Sequence, residues 1–426
     1  MKYALINGII LDGTKDMEPR KGQVVLISED KIADIVDEAS FKVTDEKLVD
    51  LQGHYLLPGL INLHVHLAGS GKPKNNSSDA KKLVKLITSN AITNALGHKL
   101  VENYAKTQLM SGTTTIRTVG GIADYDTIIR DKINAGTCVG PRILAANMAI
   151  SVPGGHMAGS LAYEATSPEE AAEYVDVIAR DKPDIIKLMI TGGVSDAVKR
   201  GEPGVLRMSP EIVRAACDRA HELGYQVAAH VESTEGVRVA VENGVDSIEH
   251  GAAPTPEILA MMQERKAFQV LTISPALPFA EFDREAMHIT EVMQENGRIV
   301  FDGVIAMAKE CLENGIPVGL GTDTACPYVT QYDMWRELNY YVKYCDVTPA
   351  WAIYSATQLN ATLAGIGDLT GSIEAGKSAD MIVVKDNPLE NLSALRNVEQ
   401  VFFRGKCYTP RLKKIQVVED MLDKYL

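Results

Sequence analysis

Short apolar runs divided by turn residues open the chain. Residues 3–11 and 23–27 are rich in β-formers, 31–36 repeats the texture, and Asp12-Gly13 marks a tight turn between runs. No helical period appears before residue 60. From there to about residue 364 the pattern changes. Apolar runs at 60–67, 113–119, 142–150, 185–190, 226–230, 247–250, 269–273 and 317–322 predict eight strands. Between them, 168–180, 210–223, 234–243, 256–265 and 298–314 carry helical periodicity. Ser167-Pro168, Ser209-Pro210 and Thr255-Pro256 read as an N-cap followed by proline in the first turn. Gly224, Gly244 and Gly315 follow predicted helix ends, as C-terminal stop signals do.

Eight β/α alternations over roughly three hundred residues are what a TIM barrel requires. The rival, a doubly wound sheet, would favour a GxGxxG after an early strand, and none is present. The end of the chain returns to β texture at 380–384 and 398–403. The expected fold is therefore α/β: a (β/α)8 TIM barrel with a small β-sandwich domain built from both termini. Its parts are residues 1–57 and 367–426 for the sandwich, the second including a terminal helix within 412–426, and 58–366 for the barrel. Residues 68–97 form the longest polar excursion. They read equally as a solvated insertion or as a loop on the catalytic face.

Composition narrows the function. The 426 residues carry 43 Lys+Arg against 56 Asp+Glu, a formal charge of −13. That balance disfavours nucleic acid, whose phosphates are met by cations. No apolar run is long enough to span a membrane, and the first residues lack the pattern of a secretory signal. Six scattered cysteines without CxxC spacing suit reduced thiols, so a cytoplasmic protein is expected.

Four of nine histidines fall at the ends of predicted strands. His64 and His66 share one strand face through the two-residue period. His230 and His250 end two further strands, and Asp323 follows the last. A strand-end histidine alone is more often a hydrogen-bonded core residue. Five such groups, placed alike, point to the ligands of Zn²⁺ or a similar divalent ion. Lys187 lies in an apolar strand where an ammonium is costly to bury. Burial lowers its pKa, and the neutral amine could add CO₂ as a carbamate, although a lysine at a barrel mouth reaching solvent fits the same pattern.

The chain resembles the metal-dependent amidohydrolase superfamily over nearly its whole length. The matching pieces are Leu57-Pro-Gly-Leu-Ile-Asn-Leu-His-Val-His66, Gly112-Thr-Thr-Thr-Ile-Arg117, the strand bearing Lys187, and the strand ending at His230. To these add Gly244-Val-Asp-Ser-Ile-Glu-His-Gly251, Gly321-Thr-Asp323 and the run from Gly371 to Asp380. The branch that it is most similar to contains prolidases and Xaa-Arg/Lys carboxypeptidases, where the Gly-Gly-His of Gly154, Gly155 and His156 recurs. The resemblance implies two divalent ions, zinc in the first instance. His64, His66 and Asp323 would hold one, His230 and His250 the other, with carboxylated Lys187 and a hydroxide between them. Asp323 would move the proton from water to the leaving amine, and His156 would bind a carboxylate or the oxyanion. Arg207, Glu232 and Tyr328, in loops after strands four, five and eight, are substrate-binding candidates.

Glu232 departs from the branch, where tyrosine is common. An acid there would repel a carboxylate or attract a cation. The expected activity is hydrolysis of an amide bond in a dipeptide, or carboxypeptidase or N-acyl-amino-acid hydrolysis, on a small-molecule substrate. The alternative is a mononuclear deaminase or an imidazolonepropionase-like hydrolase, which Glu232 favours and Lys187 opposes. A noncatalytic relative would lack ligands that this chain keeps. Self-association into a homo-oligomer is compatible with the barrel.

Overall fold

The computed structural model describes residues 2–73 and 80–426. They fall into two compact units: Met1–Leu63, Ala105–Ile116 and Gln331–Leu426 form one, His64–Tyr104 and Arg117–Thr330 the other. In the second unit seven parallel strands lie in the order Ala162–Glu164, Ala149–Ser151, Ile185–Met189, Gln226–Val231, Ser247–His250, Phe268–Leu271 and Val318–Leu320. The strands Ile185–Met189, Ser247–His250, Phe268–Leu271 and Val318–Leu320 are buried throughout. Both faces of these strands are covered, so their sequences show no regular apolar/polar alternation, and the polar groups that they carry, among them Lys187, Glu249, His250 and Gln269, are buried with them.

The helices between these strands start where the side chains can cap them. Ser167, Ser209, Ser233 and Thr255 each accept a backbone N–H from the first turn of their helix, and prolines follow three of the four. Register then aligns the strand ends: Met189 faces His230, His230 faces Glu249, and Val231 faces His250. Histidines at the carboxyl ends of neighbouring strands are thereby brought to one edge.

Three sequence expectations change. The strand expected over 142–150 is two, Arg142–Leu144 and Ala149–Ser151, in different sheets. Asn147 between them takes a left-handed backbone (φ 59°), which ends an extended run. The helix expected at 298–314 starts earlier and runs Glu291–Glu313. The polar excursion at 68–97 is largely helical, Ala80–Ile87 followed by Ala91–Met110; its residues 74–79 lie outside those described.

The other unit holds two sheets. One orders Lys31–Asp37, Gln23–Ser28, Lys2–Ile6 and Lys47–Asp50; the other orders Lys406–Tyr408, Val398–Phe403, Met381–Val384, Tyr55–Pro58 and Ile9–Ile10. Side chains from both, including Tyr3, Val25, Leu56, Met381 and Phe402, share one buried cluster. The terminal helix Gln416–Leu422 is tied in by charge as well as by Val418 and Leu422. Arg336, 1% exposed, lies 3.3 Å from Glu419 and 2.8 Å from Asp423, and Arg396 reaches the same two carboxylates.

Removing one partner of a buried ion cluster strands the others. Arg336→Met should therefore cost about 3–5 kcal/mol, read as a lower denaturation midpoint in urea. An unchanged midpoint would show that the terminal helix is held by its apolar residues alone.

Candidate active site

A cavity of about 560 Å³ opens at the aligned strand ends. His64, His66, Lys187, His230, His250 and Asp323 all line it, as do His156, Glu232 and Tyr328. Arg207 does not: it lines a separate, smaller cavity of about 180 Å³ beside Asp196 and Lys199.

Ring orientations follow from what each histidine faces. His64 Nδ1 lies 2.7 Å from Glu249 Oε2, and His66 Nδ1 lies 2.7 Å from the Gly120 carbonyl. Carboxylate and carbonyl oxygens only accept, so both Nδ1 atoms carry protons and each ring turns its Nε2 the other way. Those Nε2 atoms lie 3.4 and 3.2 Å from Asp323 Oδ1. His230 donates through Nε2 to the Gly192 carbonyl at 3.3 Å, which leaves its Nδ1 as the acceptor. His250 Nδ1 meets Thr272 Oγ1 at 2.7 Å. The rings are packed close: His64 to His250 4.8 Å, and His230 to His250 4.7 Å between centroids.

Glu249 anchors this arrangement. It is fully buried; its Oε1 accepts from Arg117 Nη2 at 2.6 Å and from Ser247 Oγ at 2.7 Å, while Oε2 takes His64. Burial alone would raise its pKa. The Arg117 guanidinium, His64 and Lys187 reverse that and hold the carboxyl well below the usual range. Burial likewise opposes ionisation of Asp323, but His64 and His66 keep it an anion. Burial, and then neighbouring positive groups, hold His230 and His250 neutral. Lys187 is 1% exposed and its Nζ has no hydrogen-bond partner among the described residues. Burial lowers its pKa to about 8, so a neutral amine is within reach near physiological pH.

The ligand atoms of His64, His250 and Asp323 lie within 4.8 Å of one another, and so do those of His230, Glu232 and His250. His250 belongs to both groups. Backbone geometry serves the same end. His250 and Asp323 hold left-handed conformations (φ 65° and 57°), turning the chain where the strand stops. At Gly321 a Cβ would stand 2.4 Å from that of His64, so no side chain fits there.

A second set surrounds His156. Its Nδ1 is 2.5 Å from Asp196 Oδ2, and its ring stacks on His230 at 4.2 Å and 7°. Asp196 also accepts the Gly193 N–H at 3.0 Å. Glu232 Oε2 accepts the Val194 N–H at 3.0 Å; burial, with Asp323 nearby, raises its pKa to about 8. The same cavity is also lined by apolar side chains: Pro275, Phe279, Met287, Ile289, Met293 and Val300. The sequence reading assigned no role to Glu249, Arg117, Asp196 or Thr272. An arginine and a glutamate, each inside a predicted strand of the barrel, were the available signal for the first pair.

The amidohydrolase family matches residues 55–407, and the chain belongs to it. It is a hydrolase acting on carbon–nitrogen bonds within the metal-dependent amidohydrolase superfamily. A structure of a Bifidobacterium longum protein, described provisionally as a prolidase, is 32% identical with a TM-score of 0.88, covering 99% of this chain and 98% of that one. A Xaa-Pro dipeptidase with bound methionine in its active site is 31% identical with a TM-score of 0.84, covering 96% and 100%. Ochratoxinase of Aspergillus niger is 27% identical over 94% of this chain and 85% of its own.

The buried anchor yields a pH-dependent prediction. An acid whose folded pKa is depressed stabilises the fold above its unfolded pKa, and that contribution is lost as pH falls below it. Arg117→Met should lower stability by about 3–5 kcal/mol at neutral pH. The gap from wild type should narrow as pH falls below the ordinary glutamate value of 4.5. Urea denaturation at neutral and acidic pH checks this; a gap independent of pH would remove Glu249 as its cause.

Proposed function

We propose that this chain is a binuclear metal hydrolase of amide or peptide bonds, acting on a dipeptide or an N-acyl amino acid. One observation carries the reading. Four imidazoles, the Asp323 carboxylate and the Lys187 amine converge on one cavity, and three of the rings have one nitrogen tied to a carbonyl or carboxylate acceptor, which fixes the direction of the other. Such a donor set suits a divalent ion of the zinc type. His64, His66 and Asp323 would hold one ion and His230 and His250 the other, with a carbamate on Lys187 between them. When bound, such ions supply Lewis acidity to the scissile carbonyl and lower the pKa of water.

The chain's own groups do the rest. Asp323, held ionised by its histidines, takes a proton from the attacking water and delivers it to the leaving amine. His156, with Nδ1 committed to Asp196, has only Nε2 left to meet a substrate carboxylate or the oxyanion. The apolar part of the lining accommodates an uncharged side chain, in keeping with the methionine bound by the 31% identical dipeptidase. Tyr328 borders the same cavity, whereas the separate cavity around Arg207 gives that residue no part in this reading.

The fold proposal is a (β/α)8 barrel, with the remaining unit as the β-sandwich. Its support is that the backbone N–H of Asp323, just past the last strand of the parallel sheet, donates to the His64 carbonyl at 2.8 Å. A cytoplasmic location agrees with six free cysteines and with no helix among the described residues long and apolar enough to cross a membrane.

Elemental analysis of protein grown with Zn²⁺ and bicarbonate should give about two metals per chain; about one would favour a mononuclear deaminase, and none would end the proposal. Asp323→Asn should keep much of the metal while turnover of N-acyl amino acids or dipeptides drops about 10²- to 10⁴-fold. A wild-type rate in that variant would remove Asp323 as the base. Lys187→Ala should lose activity and regain part of it with short carboxylic acids; full activity without them would exclude the bridging role.

A further inference from the structure

We propose that Glu232 is itself a metal ligand, completing the His230 and His250 half of the site. The chain carries the same spacing twice, each time running one residue past the end of a strand: His64-Val65-His66 and His230-Val231-Glu232. Residues two apart on an extended segment share a face, so each pair directs two donors the same way. Donor atoms of His230, Glu232 and His250 lie within 4.8 Å of one another. Two ligands on opposite sides of a zinc-sized ion are about 4 Å apart, so a small rotation closes the set.

Glu232 is also held as a ligand is held. Its Oε2 accepts the Val194 N–H at 3.0 Å, and its own backbone N–H donates to Thr191 Oγ1 at 3.0 Å. One carboxylate oxygen is thereby fixed and the other is left for the cavity, the arrangement that orients ligating carboxylates. Among the described residues no ion pair includes Glu232, and the charges that act on it are those of other carboxylates, Asp323 and Asp196. A carboxylate buried without a cation is costly; an ion between Glu232 and the two histidines removes that cost. Each half of the site then has the same make-up, two imidazoles and one carboxylate supplied by the polypeptide.

This inference rests on the two-metal reading, and the test separates the two. Zinc alone is titrated into metal-stripped wild type and Glu232→Gln, with uptake followed by calorimetry and elemental analysis. The absorption spectrum of the Co²⁺-substituted proteins is recorded alongside, and circular dichroism checks that the variant is folded. The second equivalent should bind roughly 10- to 100-fold more weakly in the variant, with a changed Co²⁺ spectrum. Glu232→Ala should do the same if Gln fails to fold. Two equivalents bound at wild-type affinity with an unaltered Co²⁺ spectrum would overturn the assignment while leaving the two-metal reading intact. Unaltered metal binding with weaker binding of amine-bearing dipeptides alone would overturn it too and give Glu232 to a substrate ammonium. A wild type that takes up no zinc removes both proposals.

Discussion

A single buried carboxylate sets the geometry on which the site depends. Glu249 is out of water, yet it remains charged because Arg117 meets one oxygen and the His64 ring the other. The pair is costly to desolvate and strongly destabilising to break, so its value lies in what it fixes. With Nδ1 committed to Glu249, the His64 ring is turned so that Nε2 faces Asp323. The Gly120 carbonyl does the same for His66, and the Gly192 carbonyl, acting on the opposite ring atom, does it for His230. Acceptors that cannot donate thus decide which face each imidazole offers.

The cost of this arrangement is spread over the backbone. His250, Asp323 and Tyr328 all occupy left-handed conformations, which disfavour residues with a Cβ. Hydrogen bonds along the same segment oppose the strain: Asp323 N–H to the His64 carbonyl, Thr324 Oγ1 to both the N–H and the carbonyl of His66, and Tyr328 N–H to the Gly71 carbonyl. Gly71 allows the last of these contacts, because a Cβ there would stand 2.1 Å from the Val329 carbonyl oxygen.

The sequence made visible what depends on local period. A strand such as Ile185–Met189, apolar but for Lys187, was legible because neither face meets water. The Ser-Pro and Thr-Pro helix starts were legible because capping is chemistry within a few residues. The histidine set was legible because a two-residue step and a strand end are both local facts. Partners brought in from distant parts of the chain were not: Asp196 reaches His156 across 40 positions, and Glu249 reaches His64 across 185. The helix Ala91–Met110 escaped notice because Ile92, Leu96 and Leu100 are exposed while Val101, Ala105 and Leu109 are buried, so no single apolar stripe marks it. Arg207 follows the correct strand, but sequence position could not tell the cavity from the one beside it.

The bond between His66 and Thr324 spans 258 positions of the chain. Contacts this distant form slowly, because their loop-closure entropy must be met before they stabilise anything. During synthesis the His64–His66 pair emerges early, and Asp323 follows only after more than half of the chain has been made. The two histidines therefore have no carboxylate partner from this contact until the last strand of the parallel sheet is in place. The order of the chain makes the centre a late part of the parallel-sheet unit to assemble, so that an ion held there would report that this unit is complete.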